Sequence, residues 1–389
     1  MDQSPAAASY KFLLDTMEYV PDYNIDWEKP TAPFLSKGTD LPMLSNFHPV
    51  EHGIHVNRQC FSTVEQSYQF AVAYLFDATQ AMKSIGRSAL APHVIKAIAR
   101  HHKKRYLSPM SRGILWHILP HVMRAQLLQK FGDATVRAQL TSTGNAQLIE
   151  ANKSDRFWGS GLSLREIQLR QQPPPAKNVM GRLLEEIRRY YQTGEMKWPS
   201  TIIIGDMISF PLLKVQAFHP TTILSWPGAS IRELIQIAAV VAQETIKKII
   251  IIGGQKAALK PSLRGHVALV APTTYARNLV RKLAYLRHLI PSSTEILVFT
   301  PSPYLGTLRA PCFEWAEATA DRMHSQVTRV RSIQPAKVIK FPEDMLTSRH
   351  WAWRPEQFKP SISTKDIIEP TVTKVGQQRL EQLLEQLYK

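Results

Sequence analysis

The hydrophobic pattern of the first half of the chain has the spacing of amphipathic helices. Apolar residues recur three and four positions apart from Phe61 to Leu75, as one face of an α-helix requires. Ser62 and Glu65 have the spacing of a capping box, in which Ser62 caps the helix and Glu65 reaches back to its amide. Further helical patterns cover residues 94–100, 114–130 and 179–191. Few strand-like runs interrupt them, so this half is predicted to be mainly α.

The pattern changes after residue 195, where short apolar runs begin to alternate with helical ones. Predicted strands cover residues 201–204, 249–252, 267–270, 296–299 and 338–339. Predicted helices between them cover residues 231–243, 274–289 and 315–330. This alternation predicts a parallel sheet with helices on both faces, a doubly wound α/β fold. Ligands of such sheets bind at the carboxyl ends of the strands.

These patterns divide the chain into two domains, as a length of 389 residues also favours. We assign residues 1–40 to a partly ordered N-terminal arm, 41–194 to the mainly α domain and 195–355 to the α/β domain. Residues 356–389 form a C-terminal tail with a short amphipathic helix. No apolar run reaches the length of a membrane span, and no secretory signal precedes the first domain. We therefore expect no membrane partner and an intracellular location, cytoplasmic or nuclear.

The charge and the cysteine content favour certain classes of partner and a certain cellular compartment. The net charge is +17, of which +6 falls in residues 1–195 and +11 in residues 196–389. A basic balance favours nucleic acid, nucleotides or phosphorylated sugars, and its alternative is a solubility charge spread over the surface. The dense basic cluster from His101 to Arg105 is open to both readings, since it fits a solvated helix end as well. Cys60 and Cys312 lie far apart, which favours a reducing compartment, and His and Cys show no metal-ligand spacing. No metal or cofactor is predicted.

Several polar residues of the first half lie where core packing does not explain them. Glu65 and Gln69 are four positions apart, with Tyr68 beside them, so they share one face of a helix. Trp158 is followed by Gly159 and Gly161, and glycines let the backbone approach a ligand closely. The same half contains Asn46, Thr143-Gly144, the acidic pair Glu150 and Asp155, Asn178, Gly181 and Arg188. The structural alternatives are that Glu65 and Asp155 cap helices and that Trp158 is core.

In this order and at these spacings the residues resemble the NADAR family. Its motifs are a Leu-Ser-Asn-Phe-x-Pro turn, a Glu-Gln-x-Tyr-Gln helix, Thr-Gly followed by Glu-Ala, Asp-x-x-Trp-Gly-x-Gly, and a helix with Asn, Gly and Arg. They stand here as Leu44–Pro49, Glu65–Gln69, Thr143-Gly144 with Glu150-Ala151, Asp155–Gly161, and Asn178 with Gly181 and Arg188. The resemblance covers residues 42–191.

The resemblance implies a mainly α fold and cleavage of an N-glycosidic bond in a nucleotide-derived substrate. That substrate is a riboflavin-pathway intermediate or ADP-ribose attached to a nucleobase. Cleavage needs a carboxylate to stabilise an oxocarbenium-like cation or activate water, and a donor for the leaving nitrogen. Glu65 and Asp155 are the predicted catalytic pair. The predicted substrate-binding residues, with Trp158 stacking on a ring and Arg188 meeting a phosphate, are Asn46, Tyr68, Gln69, Trp158, Gly159, Asn178 and Arg188.

Two positions depart from the NADAR pattern. The family's Tyr-Gln helix continues to a Lys one turn beyond the Gln, and Val72 stands there in this chain. A buried Lys with a lowered pKa can act as nucleophile or phosphate anchor, and Val can do neither. Lys83 is the candidate to compensate from nearby. Ala176 also replaces the Gly that precedes Asn178 by two.

The second half resembles the SGNH hydrolase (GDSL-type esterase) family over residues 198–355, through short motifs in the family's order. That family uses a Gly-Asp-Ser nucleophile, a Gly and an Asn for the oxyanion hole, and a late Asp-x-x-His. The corresponding positions here are Gly205, Asp206, Met207, Gly228, Gln255 and His350. Met207 cannot attack a carbonyl, and Thr347 stands three before His350 where Asp should be. The resemblance therefore predicts a degenerate, inactive hydrolase-like domain that binds or positions.

The leading hypothesis is an N-glycosidase-like domain that binds or cleaves a nucleotide-linked N-glycoside. A second hypothesis is a non-catalytic reader of ADP-ribose-like groups or nucleic acid. A third is that esterase chemistry survives in the second half through Ser209.

Overall fold

A computed structural model describes most of the chain. The described residues are 22–35, 39–87, 89–106, 109–196, 198–205, 221–226, 229–242, 245–253, 259–261, 267–301 and 313–340. They fall into two compact units, one within Glu18–Lys197 and the other beginning at Trp198. No helix in these ranges is long and apolar enough to cross a bilayer.

The first unit contains seven helices and four short strands among its described residues. The helices are α1 (Val64–Leu75), α2 (Thr79–Gly86), α3 (Pro92–Tyr106), α4 (Pro109–Lys130), α5 (Ala134–Ser142), α6 (Leu164–Gln168) and α7 (Val179–Thr193). The strands are β1 (Thr31–Phe34), β2 (Pro49–Val56), β3 (Gln59–Thr63) and β4 (Gln147–Glu150). The predicted helices correspond to α1, α3, α4 and α7, except that residues 61–63 of the first pattern belong to β3, and α2, α5 and α6 were not predicted.

Helix α1 is the centre of this unit. All twelve of its residues are buried, and it packs against α2, α3, α4 and the β2–β3 hairpin. Its N-cap is Thr63, whose hydroxyl accepts a hydrogen bond from the Gln66 amide. The predicted capping box is therefore wrong, because Ser62 belongs to β3 and the helix starts one residue later than expected. Glu65 is thereby a buried carboxyl in the first turn without a capping task.

Strands β1 and β4 form a parallel pair that brings residues more than 110 positions apart together. Thr31 lies beside Gln147, and Phe34 lies beside Glu150. The structure thus differs from the predicted arm over residues 1–40, since Thr31–Phe34 is part of the folded unit and Phe34 is buried. The pair forms because the apolar residues Leu148 and Ile149 are fully buried and a strand is needed to satisfy their backbone.

The other edge of β4 is covered by polar groups from α7 and a nearby loop. Glu185 accepts a hydrogen bond from the Leu148 amide at 2.8 Å. Asn178 donates to the Leu148 carbonyl at 2.9 Å and accepts from the Glu150 amide at 3.1 Å. The Ser160 amide donates to the Glu150 carbonyl at 3.0 Å. These bonds fix the backbone of β4 up to its last residue, Glu150.

The second unit is built on a parallel sheet of five strands. The described strands of the second unit are β5 (Thr201–Gly205), β6 (Thr221–Ser225), β7 (Lys248–Ile252), β8 (Leu259–Pro261), β9 (Val267–Leu269), β10 (Glu295–Phe299) and β11 (Ala336–Ile339). The described helices are α8 (Ile231–Val241), α9 (Pro272–Arg287) and α10 (Phe313–Arg329). The sheet order is β11-β10-β7-β5-β6, and every neighbouring pair is parallel. The prediction of a parallel sheet alternating with helices is confirmed.

One predicted strand departs from this sheet. The run at residues 267–270 forms β9, which pairs antiparallel with β8 in a separate hairpin. Of the predicted hydrolase positions, Gly205 is the buried last residue of β5, at the carboxyl end of a central strand. The other positions, Asp206, Met207, Gly228, Gln255 and His350, lie outside the described residues, as do Ser209 and the tail from residue 356.

Candidate active site

The first unit contains a cavity of about 550 Å³ at the middle of α1. Drug-sized and nucleotide-sized ligands occupy pockets of roughly 300–1,000 Å³. Four segments supply most of its polar lining. They are the turn at residues 45–47, one face of α1, one face of α3, and the segment from Glu150 to Trp158.

Helix α1 contributes Glu65, Tyr68, Gln69 and Val72 to the lining. Their spacing of three and four residues places them on one helical face, as the sequence predicts. Gln69 donates a hydrogen bond from Nε2 to Glu65 Oε1 at 2.8 Å. Its own Oε1 is buried and has no hydrogen-bond partner among the described residues. This face therefore presents a carboxyl and a free amide oxygen.

The turn before β2 places Asn46 against the start of α1. The Glu65 amide donates to the Asn46 carbonyl at 3.0 Å, which ties the turn to the helix. Fully buried Lys130 donates to the Ser45 carbonyl at 2.6 Å and holds the turn from the other side. Burial lowers the pKa of Lys130 to about 7. The side-chain oxygen of Asn46 is buried without a partner in the described chain and adds a second free acceptor.

The segment after β4 positions Asp155 and Trp158 at the cavity. Asp155 Oδ1 accepts hydrogen bonds from the amides of Phe157 and Trp158, at 3.1 and 2.9 Å. Trp158 packs edge-on against Tyr68, with ring centroids 5.5 Å apart. Asp155 therefore stabilises the loop that carries Trp158. Its remaining oxygen is the one available to a ligand.

Glu150 ends β4 and lines the cavity together with the two predicted catalytic carboxyls, Glu65 and Asp155. The pKa of Glu150 is raised to about 8, mainly by burial and also by the charges of Asp155 and Glu65, against the opposing effect of Lys96. Its Oε2 is buried with no hydrogen-bond partner among the residues described. A carboxyl with this pKa is protonated at neutral pH and can donate a proton.

Helix α3 contributes Lys96, Arg100, Lys103 and Lys104 to the lining. The ammonium of Lys103 lies over the ring of Tyr68, 5.7 Å from its centroid. The pKa of Lys103 is lowered to about 8, mainly by burial; Glu65 opposes this shift, and Lys96 and Arg100 add to it. The cavity lining thus contains three carboxyl side chains, Glu65, Glu150 and Asp155, and these four basic side chains.

Three of the predicted site residues are not in the lining. Asn178 is fully buried, and both ends of its amide bind β4. Arg188 donates to Thr143 Oγ1 at 2.7 Å. Gly159 lies in a tight loop, where a Cβ would come within 2.8 Å of the Asp155 carbonyl oxygen. These residues build the scaffold that carries the cavity, and the other six predicted residues, Asn46, Glu65, Tyr68, Gln69, Asp155 and Trp158, line it.

Sequence reasoning did not place Glu150 or the basic face of α3 in the site. The signal for α3 was available, because positions 96, 100, 103 and 104 repeat at helical spacing and share one face. Glu150 stood in a family motif, but no local pattern shows that a carboxyl will be buried. Within the described ranges, no cluster of three or more His, Cys, Asp or Glu side chains is arranged to hold a metal ion.

Comparison with known proteins gives the family of this unit. The NADAR domain model matches residues 33–191. An N-glycosidase of Nostoc punctiforme is 31% identical over 121 residues, which cover 31% of this chain and 72% of that protein. An N-glycosidase of Acanthamoeba polyphaga mimivirus is 24% identical over 159 residues, which cover 39% of this chain and 88% of that protein.

A solved structure of a candidate platelet activating factor from Streptococcus pneumonia aligns with 52% of this chain and 89% of its own, at 14% identity and a TM-score of 0.34. That score is too low to argue for a shared fold. The assignment therefore rests on the first half, where the matched range runs from within β1 to within α7. Through this half, the chain belongs to the NADAR domain family.

Proposed function

We propose that the cavity cleaves an N-glycosidic bond in a nucleotide-derived substrate, with Glu150 as the proton donor. The observation that carries this proposal is the environment of Glu150, whose pKa of about 8 keeps the carboxyl protonated at neutral pH. When the bond breaks, its electron pair moves to the base nitrogen, which takes the proton from Glu150. Both curated relatives are named N-glycosidases, which supports this reaction class.

Glu65 is the second catalytic group of the proposal. It lines the same cavity, and its Oε1 is held by Gln69. Its carboxylate stabilises the positive charge that develops at the anomeric carbon and takes the proton of the attacking group. Asp155, predicted as the partner of Glu65, acts instead through Glu150 and Trp158. Its charge raises the pKa of Glu150, and its Oδ1 accepts a hydrogen bond from the Trp158 amide and so orients that residue.

The lining favours a ribosyl phosphate as the substrate class. The free oxygens of Asn46 and Gln69 need hydrogen-bond donors, and ribose hydroxyls are donors at this depth. Trp158 offers a ring for stacking, and the basic face of α3 offers cations for phosphate. ADP-ribose attached to a nucleobase carries all three groups. A nucleic acid that bears it would meet the exposed Arg100 and Lys104 at the rim.

The experiment is base release by the purified chain. A DNA oligonucleotide carrying ADP-ribosylated guanine and a phosphoribosylamino-pyrimidine are supplied separately, and the free base or pyrimidine is quantified by chromatography. We expect release from one of them, loss of release in Glu150→Gln, and no change in Glu51→Gln, an exposed glutamate of β2. Release from neither substrate, or release that Glu150→Gln leaves intact, contradicts the proposal.

Val72 favours a second candidate, a reader that binds without cleaving. It lines the cavity and is 1% exposed, at the position where the family motif has its Lys. An apolar side chain there removes a charged group and leaves the stacking and phosphate contacts in place. ADP-ribose binding measured by calorimetry, without base release from either substrate, would favour the reader.

For the second unit we propose a non-catalytic hydrolase-like role in binding or positioning. This rests on the sequence, since Met207 stands at the nucleophile position and Thr347 at that of the orienting Asp. The parallel sheet and the position of Gly205 at the end of β5 are compatible with it.

A further inference from the structure

The cavity lacks a lysine at one position and has another lysine close to it. Val72 occupies the position of the family's Lys on α1 and lines the cavity. Lys83, the residue that the sequence offered as a replacement, lies exposed on α2 and is not in the lining. Lys103 comes from a different helix, α3, and does line the cavity.

The geometry brings Lys103 to the strip of α1 from which Val72 projects. Its Nζ lies 5.7 Å from the centroid of the Tyr68 ring. Tyr68 and Val72 are four residues apart on α1, so their side chains lie one above the other on the same face. An amine over Tyr68 therefore lies at the same face of α1 from which a lysine at position 72 would project.

The surroundings of Lys103 leave its amine available. Among the described residues its ammonium makes no hydrogen bond or ion pair, and it lies over the Tyr68 ring. With a pKa of about 8, roughly a tenth of the molecules carry a neutral amine at pH 7. A desolvated lysine with a lowered pKa has a neutral amine in part of the molecules and can act as a nucleophile, whereas a solvated lysine stays a protonated ammonium.

We propose that Lys103 is the catalytic nucleophile of this cavity, supplied by α3 in place of the lysine that α1 has lost. This inference rests on the proposed function and names the group that attacks the anomeric carbon. The lone pair of Nζ forms a bond to that carbon, the bond to the base nitrogen breaks, and Glu150 protonates the leaving base. Nζ then passes a proton to Glu65, which delivers it to the sugar ring oxygen as the ring C–O bond breaks, and an imine forms. Water adds to the imine and returns the sugar aldehyde and the free amine.

The first test forms the imine without the glycosidase reaction. Ribose 5-phosphate has an open-chain aldehyde, and its condensation with a lysine amine releases water and gives the same imine. Sodium cyanoborohydride reduces that imine to a stable secondary amine, which peptide mass spectrometry locates. We expect the adduct at Lys103 at low sugar concentration, at least tenfold above that at Lys83. Labelling of Lys103 no greater than that of exposed lysines overturns the inference.

The second test uses turnover with variants that separate charge from nucleophilicity. Lys103→Arg keeps the positive charge but cannot form an imine, and Lys103→Met removes both. We expect both to lose at least a hundredfold in base release, and the Lys83→Met control to keep the original rate. In the Lys103→Met background, Val72→Lys returns an amine to the cavity from α1 and should restore part of the rate. Thermal melts of each variant identify any that fails to fold.

The outcomes distinguish the two proposals. Base release at the original rate in Lys103→Arg overturns the role of Lys103 and leaves the N-glycosidase proposal standing. An adduct at Lys103 without base release from either substrate overturns the N-glycosidase proposal and leaves a sugar-aldehyde site at Lys103.

Discussion

Gln69 holds Glu65 from one turn further along α1, through a 2.8 Å hydrogen bond between its Nε2 and Glu65 Oε1. Both side chains belong to a helix whose residues are all buried, so the pair is fixed in place before any ligand arrives. A carboxyl held in this way is preorganised for charge that develops nearby.

Glu65→Gln keeps the size of this side chain and removes its charge. We expect base release to fall by about 10²–10⁴-fold, the usual contribution of a positioned acid or base. ADP-ribose affinity should change little, because the substitution leaves Trp158 and α3 intact. Single-turnover kinetics and calorimetry measure the two effects separately. Equal losses of affinity and rate would show that Glu65 binds substrate instead.

Trp158 is expected to carry much of the affinity for the ring of the ligand. Stacking of a base on an aromatic side chain contributes about 1–3 kcal/mol. Trp158→Ala should therefore weaken ADP-ribose binding by roughly 5- to 150-fold, and Trp158→Phe should recover most of it. Unchanged affinity in Trp158→Ala, with an unchanged melting temperature, would assign the indole to the core alone.

The rate of cleavage should have a bell-shaped dependence on pH with a maximum near 8. Glu150 must be protonated to donate, and its pKa of about 8 makes the rate fall at higher pH. Lys103 must be neutral to attack, and its pKa of about 8 makes the rate fall at lower pH. The charged groups that set these values are Asp155, Glu65 and Lys96 around Glu150, and Glu65, Lys96 and Arg100 around Lys103.

The raised pKa of Glu150 also makes the free energy of unfolding depend on pH. Its folded-state pKa is raised above the ordinary value of 4.5, so the folded chain binds more protons between pH 4.5 and 8. Protonation of Glu150 therefore stabilises the folded chain fully below pH 4.5, and this contribution to the free energy of unfolding is lost as the pH rises through 8. Glu150→Gln should flatten this slope in urea unfolding measured from pH 5 to 9. An unchanged slope would show that Glu150 ionises normally.

The second unit is expected to be inactive as an esterase. Met207 has no ionisable oxygen, so hydrolysis of p-nitrophenyl acetate should stay at background. Turnover that disappears in Ser209→Ala would overturn this expectation and revive the third hypothesis.

The part of the site that lies on one helix could be predicted from the sequence. Glu65, Tyr68 and Gln69 share a face because their spacing follows the helical repeat, and no tertiary information is needed to see it. The strand β1 could not be predicted in this way. Its four residues have no periodicity of their own, and their pairing with β4 depends on a contact across more than 110 residues.

The roles of Asn178 and Glu150 were hidden for a related reason. A motif contains several polar residues, and it does not distinguish a residue that contacts a ligand from one that hydrogen-bonds to a strand. Asn178 binds the backbone of β4, and Glu150, at the end of that strand, lines the cavity. Only burial and hydrogen bonding separate the two roles.

Asn178→Ala should destabilise the first unit by about 2–4 kcal/mol, because it leaves the Leu148 carbonyl and the Glu150 amide buried and unpaired. Asn57→Ala is the matched control. Asn57 has a similar left-handed backbone, with φ 47° against 44° for Asn178, but lies in the β2–β3 turn. We expect a loss of about 1 kcal/mol there from backbone strain. Equal urea midpoints for the two variants would contradict the role assigned to Asn178.

The covered edge of β4 also has a consequence for association between molecules. A strand with free amides and carbonyls is a template on which another chain can add a strand, which leads to aggregation. Asn178 and Glu185 occupy the groups that such a strand would need. The outer edge of β4 therefore offers a second copy of the chain no place to add a strand.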